Sequence, residues 1–333
     1  MALPLQKREV LRGRYRIRKR IGQGGIGSVY LAEDQRLEGR LCAIKEVEHD
    51  RSLPPKIFEE AREQFMREAS VLARLDHPNL PKVSDFFSRE NRDYLVMDYV
   101  PGEDLRTHML DARRNKTFLR TDVVIGWANQ IANALTYLHS QDPPIIHRDI
   151  KPSNLKLTPS GLIKLVDFGL VKMLVPDEMT ITIIQGQGTI LYTPLEQYGS
   201  DGTHTDPRSD IYSLGATLYH LLTNTPPADA RKRFLHPESL ITPRKINSSI
   251  NRRTERGIKW AMELHPNKRP DTAEDFRLFL LGQKEIITSP LPQLHQQEKK
   301  NTLRDMLAQP TEQILAWLIF GMMILSLLTT LGN

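Results

Sequence analysis

The chain has 333 residues, which is long enough for about two domains with well-buried cores. Its single cysteine, Cys42, excludes a disulfide-stapled scaffold, because it has no partner within the chain. With 39% hydrophobic and 26% charged residues, the composition is that of a globular protein and not of a disordered or fibrous one.

The formal net charge of +6 is concentrated at the N-terminus. Eight basic side chains and one acidic side chain fall within the first twenty residues, so the rest of the chain is close to neutral. We therefore expect residues 1–14 to form a basic arm ahead of the folded body. A chain that binds nucleic acid would be basic throughout, so no nucleic-acid partner is predicted. A basic arm fits an anionic lipid surface or simple solvation better.

The first part of the body, residues 15–97, is predicted to be a small sheet with one helix. Short β-prone runs are separated by glycine-rich segments, and apolar residues then recur at helical spacing over residues 56–75. Prolines bound this helix on both sides. The predicted strands are Tyr15–Ile17, Val29–Ala32, Leu41–Lys45, Val83–Phe87 and Tyr94–Met97.

After a connection at residues 98–102, the pattern over residues 103–282 is mainly helical. Examples are the periodic runs Val123–His139 and Ile211–Leu222. One short strand pair is predicted within this part, at Leu155–Leu157 and Ile163–Leu165. The expected fold class is therefore α+β, with a β-rich N-lobe, a hinge at residues 98–102 and an α-helical C-lobe.

The end of the chain differs in composition from the body. Residues 283–313 are polar and lack an apolar period, so they are predicted to be a linker. Residues 314–331 carry no charge and would measure about 27 Å as a helix, which is close to the thickness of a bilayer. This segment is apolar all round, whereas a buried helix normally has a polar stripe, so we expect a transmembrane helix.

The charges beside the apolar segment predict how the protein is oriented. Lys299, Lys300 and Arg304 lie on its N-terminal side, and only two residues follow residue 331 in this sequence. The positive-inside rule then keeps the body in the cytoplasm. The sequence therefore predicts a single-pass protein of the cell membrane whose folded body faces the cytoplasm.

A glycine-rich motif lies near the start of the body. Gly22, Gly24 and Gly27 have the spacing that lets a backbone come close to phosphates. Dinucleotide-binding folds use the same spacing, but there a helix opens directly after the last glycine. Here a strand follows through Val29–Ala32, which excludes that class. On this motif alone, a hairpin over a nucleotide and a plain hairpin turn remain as alternatives.

Further motifs follow the glycines along the chain. They are Ala43-Ile44-Lys45, Glu68, His147-Arg148-Asp149 with Asn154, Asp167-Phe168-Gly169, and Glu196. Their order and spacing resemble those of protein kinases, and over residues 14–282 the chain resembles the eukaryotic-like serine/threonine protein kinases of bacteria. The resemblance implies the two-lobed protein kinase fold and transfer of the γ-phosphate of ATP to Ser or Thr hydroxyls of proteins.

The resemblance assigns four catalytic residues. Phosphoryl transfer needs positioning and charge neutralisation more than covalent help, so such an enzyme uses cations and one well-placed carboxylate. Lys45 would hold the α- and β-phosphates, and Glu68 would hold Lys45. Asp149 would accept the proton of the incoming hydroxyl, and Lys151 would neutralise the γ-phosphate.

The same resemblance assigns the cofactor ligands. Asn154 and Asp167 would supply the hard oxygen ligands that Mg²⁺ requires, with Mn²⁺ as an alternative metal. ATP is the expected nucleotide. Ser153, which lies between Lys151 and Asn154, has no assigned role.

The nucleotide pocket is assigned by similarity alone. Lys156 departs from the family, which usually has an apolar residue beneath the adenine. A lysine can lay its methylene stem there and direct its ammonium group outward, so we expect ATP binding to be retained. The expected nucleotide contacts are Gly22, Gly24, Gly27, Val29, Ala43, Lys45, Met97, Asp98, Val100, Asp104 and Lys156.

Four residues are predicted to take part in regulation. Arg148, next to Asp149, is a receptor for a phosphate that would order the loop that follows Asp167. Thr180 and Thr182 are the expected sites of autophosphorylation. In the family, the hydroxyl of the threonine at the position of Thr189 contacts the catalytic aspartate and lysine.

Three more residues resemble structural positions of the family. Glu196 and Arg269 resemble the ion pair that closes the C-lobe, and Asp210 resembles the carboxylate that braces the catalytic loop.

Two function classes remain open on the sequence. One is an active kinase with ATP, protein substrates and the lipid bilayer as partners, for which a homodimer that phosphorylates in trans is an option. The other is a membrane-tethered pseudokinase that binds nucleotide and partners without turnover. The presence of Lys45, Asp149, Asn154 and Asp167 favours the first.

Overall fold

A computed structural model of the chain describes residues 4–23, 27–48, 54–167, 189–198 and 205–285. These residues belong to one unit that ends at Glu285. Several of the sequence-based predictions fall outside them: Gly24, Phe168, Gly169, Thr180, Thr182, residues 286–313 of the linker and the apolar segment 314–331.

The N-lobe is a six-stranded antiparallel sheet with one helix. Its strand order is β1-β2-β3-β4-β6-β5, so β4 lies near the centre and is paired on both sides. Helix α1 spans Pro55–Ala73 and begins with a proline at its first position, where the missing N–H costs no hydrogen bond. The strands are β1 (Val10–Leu11), β2 (Tyr15–Gln23), β3 (Ser28–Asp34), β4 (Leu41–Glu48), β5 (Val83–Arg89) and β6 (Arg92–Asp98).

Both faces of this sheet are covered by apolar side chains. One face carries an aromatic cluster that includes Tyr15, Tyr30 and Tyr94, each at most 2% exposed. The other face packs on α1, through residues such as Phe65, and belongs to the main core that continues into the C-lobe. This double coverage explains why β6 is apolar over four consecutive residues and does not alternate.

The C-lobe is built from helices around a buried central helix. Helix α4 (Pro207–Thr223) is buried along almost its whole length, and most of its residues are apolar or small; the charged Asp210 is a buried exception. Helix α3 (Thr121–His139) packs against both α4 and α8. The remaining helices are α2 (Leu105–Arg114), α5 (Ala230–Leu235), α6 (Pro243–Ile246), α7 (Arg252–Ala261) and α8 (Ala273–Leu280).

A small second sheet lies where the two lobes meet. It consists of β7 (Glu103–Asp104), β8 (Leu155–Leu157) and β9 (Ile163–Leu165). The hinge enters it through Gly102, which has a φ of +98°. A Cβ atom at Gly102 would lie 2.0 Å from the carbonyl oxygen of Leu157, so only glycine fits. The expectation of a β-rich N-lobe joined to a helical C-lobe is confirmed.

The basic segment before residue 15 is not an arm where the structure describes it. Strand β1 pairs with β2, and Leu11 is completely buried in the aromatic cluster. Arg14 donates two hydrogen bonds to Asp34, at 2.8 and 2.7 Å. The expectation of a separate arm over residues 1–14 is therefore corrected for residues 4–14. Leu11, with Leu5 packed against the same cluster, anchors the segment in spite of its dense positive charge.

Within the described ranges, no helix is both long enough and apolar enough to cross a bilayer.

The burial of Leu11 gives a test of this correction. Leu11→Ala should lower the free energy of unfolding by about 2–5 kcal/mol, because it removes a fully buried side chain from a packed cluster. Chemical denaturation followed by tryptophan fluorescence measures this value. The neighbouring Val10 is 39% exposed, so Val10→Ala should change it by less than about 0.5 kcal/mol. Equal effects of the two substitutions would mean that the segment does not pack on the lobe.

Candidate active site

The loop between α3 and β8 brings three polar residues together at one point. The ammonium group of Lys151 donates to both carboxylate oxygens of Asp149, at 3.1 and 2.9 Å. The side-chain amide of Asn154 donates to the backbone oxygen of Asp149 at 2.9 Å and to Oδ2 at 3.0 Å. The Asp149 carboxylate is thus held from two sides, and the ammonium group of Lys151 compensates its negative charge.

A buried carboxylate from α4 holds the backbone of this loop. Asp210 is completely buried and accepts from the backbone N–H groups of His147 and Arg148, both at 2.8 Å. Its Oδ2 also lies 3.0 Å from Nε2 of His139. Arg148 has a φ of +66°, which costs energy for a residue with a side chain, so this turn depends on those bonds.

The segment that starts at residue 189 is connected to the same loop. Lys151 donates to the hydroxyl of Thr189 at 3.0 Å. Arg269 is 2% exposed and donates to both carboxylate oxygens of Glu196, at 2.6 and 3.0 Å. This pair joins the segment to the C-lobe core, as the resemblance implied.

The lysine of β4 pairs with an aspartate of the loop after β9. The ammonium group of Lys45 is hydrogen-bonded to Oδ1 of Asp167. Burial by itself would raise the pKa of Asp167, but the charge and hydrogen bond of Lys45 outweigh it, so the pKa of Asp167 lies below its usual range. Asp167 therefore stays ionised at the edge of the pocket.

Glu68 of α1 does not pair with Lys45 in this structure, which corrects the role expected from the sequence. One oxygen of Glu68 accepts from Gln64 at 3.1 Å. The other, Oε2, is buried and has no hydrogen-bond partner among the described residues. Burial raises the pKa of Glu68 to about 7, while the hydrogen bond from Gln64 and the charge of Arg148 oppose the shift. Asp167 neutralises Lys45 in the place of Glu68.

The cleft between the lobes contains most of the predicted nucleotide contacts. Lys156 lies in its floor, with Nζ 5.7 Å from the ring centroid of Tyr99 in the hinge. Burial lowers the pKa of Lys156, and the charge of Asp104 opposes this shift. The ammonium group thus lies beside the hinge residue Tyr99, which also lines the cleft. Of the predicted contacts, the cleft is lined by Gly22, Val29, Ala43, Lys45, Met97, Asp98, Val100, Asp104 and Lys156.

The last glycine of the motif has a structural role. A Cβ atom at Gly27 would lie 1.8 Å from the carbonyl oxygen of Glu46, so the chain can pass β4 only without a side chain. Gly27 is not among the residues that line the cleft. At Gly22, a Cβ atom would meet Val29 at an ordinary 3.5 Å.

Two oxygen-bearing side chains of the cleft fit a divalent metal. Asn154 and Asp167 both line it and offer an amide and a carboxylate oxygen, the ligand types that Mg²⁺ prefers. The described residues contain no cluster of three or more His, Cys, Asp or Glu side chains that could hold a metal by itself. A metal here would need further ligands such as nucleotide phosphates, which is the usual arrangement for Mg²⁺.

Comparison with known proteins decides the family. A model of the protein kinase domain matches residues 15–280. The chain belongs to the protein kinase family. Protein kinases use ATP and a divalent metal to phosphorylate proteins, so the cleft is the nucleotide site that the family implies.

The kinase relatives are bacterial. A probable serine/threonine-protein kinase of Clostridium perfringens is 33% identical over 80% of this chain and 38% of its own length. The kinase PrkC of Bacillus subtilis is 33% identical over 79% of this chain and 39% of its own. The chain thus spans about two-fifths of the length of these relatives.

A solved kinase structure has the same fold. The PknI kinase domain of Mycobacterium tuberculosis is 27% identical, with a TM-score of 0.64. The match covers 84% of this chain and 99% of that domain. The region of this chain that resembles kinases therefore corresponds to a complete kinase domain.

Sequence reasoning missed several residues of this kinase site. Tyr99 lies within the predicted hinge but is not among the predicted nucleotide contacts, although an aromatic ring is a known partner for a cation such as Lys156. His139 is predicted only as the last residue of a periodic helix, yet it is hydrogen-bonded to Asp210, which also holds the catalytic loop. Gln64, one helical turn before Glu68, could have been found from its i, i+4 spacing.

The raised pKa of Glu68 predicts a pH dependence of stability. Between its ordinary pKa near 4.5 and about 7, the folded kinase binds more protons at this site than the unfolded chain, so stability falls as pH rises through this range. We compare the free energy of unfolding of the wild-type protein with that of Glu68→Gln, both without nucleotide. The wild-type value minus the variant value should fall by roughly 1–2 kcal/mol from pH 5 to pH 8, after allowance for the partial exposure of Glu68.

Urea denaturation at both pH values measures this difference. Glu63 is exposed on the same helix, so Glu63→Gln is the matched control and should follow the wild-type pH curve. A wild-type protein and a Glu68→Gln variant with parallel pH curves would contradict the burial of an unpaired carboxylate.

Proposed function

We propose that this chain is a serine/threonine protein kinase that transfers the γ-phosphate of ATP to hydroxyl groups of protein substrates. The observation that carries the proposal is the arrangement of Asp149, Lys151 and Thr189. A carboxylate bound by a lysine at 2.9 Å, with a threonine hydroxyl 3.0 Å from the same ammonium group, is suited to orient an incoming hydroxyl.

Each residue of this group has a distinct task in the proposed reaction. Asp149 would accept the proton of the substrate hydroxyl as the oxygen attacks phosphorus. Lys151 would balance the negative charge that develops on the transferred phosphoryl group. Lys45 would hold the α- and β-phosphates. In that state its ion-pair partner would be Glu68 in place of Asp167.

Asn154 and Asp167 would hold the metal, which we propose to be Mg²⁺ with Mn²⁺ as an alternative. A bound metal supplies charge neutralisation at the phosphates. Asn154 also keeps the Asp149 carboxylate oriented through its amide N–H. Its side-chain oxygen accepts one long hydrogen bond, at 3.4 Å from the hydroxyl of Ser153, and keeps a second lone pair for a cation.

Regulation by phosphorylation is part of the proposal. Arg148 lies close enough to Glu68 to lower the pKa of that carboxyl group, and it directly precedes Asp149 in the chain. A phosphate on Thr180 or Thr182 would bring about two negative charges and would compete for the guanidinium group. Phosphorylation in trans within a homodimer is the proposed route.

A pseudokinase that binds nucleotide without turnover is the second candidate. The unpaired Glu68 favours it, because Lys45 lacks its expected partner on α1 in this structure. An activity assay separates the two candidates.

The assay compares two aspartate variants of the full chain in detergent, with ATP, Mg²⁺ and a basic protein substrate. Asp149→Asn should keep nucleotide binding and lose roughly 10²- to 10⁴-fold in turnover, because it removes only the proton acceptor. Asp167→Asn should also lose metal-dependent nucleotide binding. Isothermal titration and ³²P incorporation measure the two properties, and mass spectrometry of the wild-type product reports phosphate on Thr180 or Thr182.

The exposed Asp271 provides a matched control, since Asp271→Asn should behave as wild type. Absence of transfer by the wild-type protein, with nucleotide binding intact, would establish the pseudokinase. Normal transfer by Asp149→Asn would overturn the assigned roles.

We also propose that the kinase is tethered to the cell membrane, with its catalytic domain in the cytoplasm. The uncharged residues 314–331 and the basic residues before them support this proposal.

The tether predicts how the protein fractionates. The full chain should pellet with membranes and resist alkaline carbonate extraction, whereas a chain that ends at residue 310 should be recovered in the supernatant with its kinase activity. Immunoblotting of the fractions measures this. As a control, removal of only Gly332 and Asn333 should leave the membrane fraction unchanged. Recovery of the intact full chain in the supernatant would refute the tether.

A further inference from the structure

The excess positive charge of the chain is gathered on one edge of the N-lobe. The first forty residues contain ten basic and four acidic side chains, so they account for the whole formal charge of +6. Because residues 4–14 are folded onto the sheet, these charges have fixed positions. We call this region the basic edge and define it by six exposed residues: Lys7, Arg8, Arg16, Lys19, Arg20 and Arg36.

Backbone hydrogen bonds place these six residues beside one another. The N–H of Arg8 donates to the carbonyl of Ile17 at 2.8 Å, so the first two cations lie along β2. Arg16, Lys19 and Arg20 belong to β2 itself. Gln35, next to Arg36, donates to the carbonyl of Arg14 at 2.9 Å. The backbones of the six cations therefore lie together on β2 and the segments beside it, and the cations are not scattered over the lobe.

Three of the four acidic residues among these forty pair with other cations, and the fourth, Glu38, is exposed and forms no ion pair among the described residues. The other four cations in the first forty residues each form an ion pair. The pairs are Arg12 with Asp85, Arg14 with Asp34, Arg18 with Glu33, and Arg40 with Asp98. Glu9 pairs with Arg89. None of the six residues of the basic edge forms an ion pair within the described part of the chain. A few charges would be enough to protect a strand edge from aggregation, so this surplus needs another explanation.

Exposed apolar side chains lie among these cations. Val10, Ile21 and Leu37 are 39%, 40% and 46% exposed, and all three belong to the same forty residues. A surface that combines cations with exposed apolar groups fits the interface of an anionic bilayer, where charge attraction and burial of apolar area act together. Nucleic acid would make use of the cations but would leave these aliphatic groups in water.

We propose that the basic edge docks the kinase domain on an anionic phospholipid surface. This inference extends the membrane tether proposed above. The linker residues 286–313 would have a root-mean-square length of about 30 Å if flexible, which would keep the domain within reach of the bilayer. Docking would fix which way the cleft faces and so restrict the proteins that the kinase can phosphorylate.

The experiment uses residues 1–285, because this unit contains both hydrophobic cores and all the sheets and helices described above. The fragment is sedimented with vesicles of phosphatidylglycerol and phosphatidylcholine, and with vesicles of phosphatidylcholine alone. We expect binding only to the anionic vesicles at 0.1 M NaCl. We also expect release at 1 M, where the screening length falls to about 3 Å.

Two matched quadruple variants test the position of the charges. The first replaces Lys7, Arg8, Arg16 and Lys19 with Gln and should bind anionic vesicles at least tenfold more weakly, since each cation near such a surface contributes about fivefold. The control replaces four exposed, unpaired cations of the C-lobe with Gln and should bind as the unmodified fragment does. Those residues are Lys116, Arg252, Lys259 and Lys268.

Both variants should keep the melting temperature and the solution activity of the unmodified fragment, which excludes misfolding as the cause of weaker binding. Equal binding by the two variants, or no binding of the fragment to anionic vesicles, would overturn the proposal. So would binding to duplex DNA that depends on the same four residues in the absence of vesicle binding. The fragment lacks residues 314–331, so a negative vesicle result would not contradict the proposed tether or the proposed kinase activity. In the same way, a negative result for the tether or for kinase activity would not change what vesicle binding shows about the basic edge.

Discussion

The completely buried carboxylate of Asp210 is the interaction on which the catalytic loop depends. It accepts from two consecutive backbone N–H groups and from His139, so three hydrogen bonds offset the cost of its burial. These bonds hold Arg148 at a positive φ, and the next residue, Asp149, is thereby placed in contact with Lys151 and Asn154. Because Asp210 belongs to the most deeply buried helix, the loop is as rigid as the C-lobe core.

The N-lobe side of the cleft is held less firmly. Lys45 comes from a sheet that is packed on both faces, but its carboxylate partner is Asp167, from a loop, and not Glu68, from α1. A buried carboxylate oxygen without a hydrogen bond is costly, and the same group could be stabilised by Lys45. In this structure Lys45 pairs with Asp167, and a metal held by Asp167, as proposed above, would allow Lys45 to pair with Glu68 instead.

Charge and packing act together at the start of the chain. Leu11 anchors the segment in the aromatic cluster, and the ion pair of Arg14 with Asp34 holds it against β3. The remaining cations are exposed and form no ion pairs within the described residues. A segment that composition describes as an arm is therefore part of the N-lobe surface, because Leu11 is buried in the cluster and Leu5 packs against it.

The sequence alone determined the order of strands and helices, since periods of two and 3.6 survive without tertiary context, and the spacing of its motifs identified Lys45, Asp149 and Asp167. Only the tertiary structure decided which charges pair. Ion pairs and burial join residues far apart in the chain, so no local pattern could show that Lys45 contacts Asp167 in preference to Glu68. The burial of Leu11 could not be predicted for the same reason, since the few apolar residues among these cations follow no period.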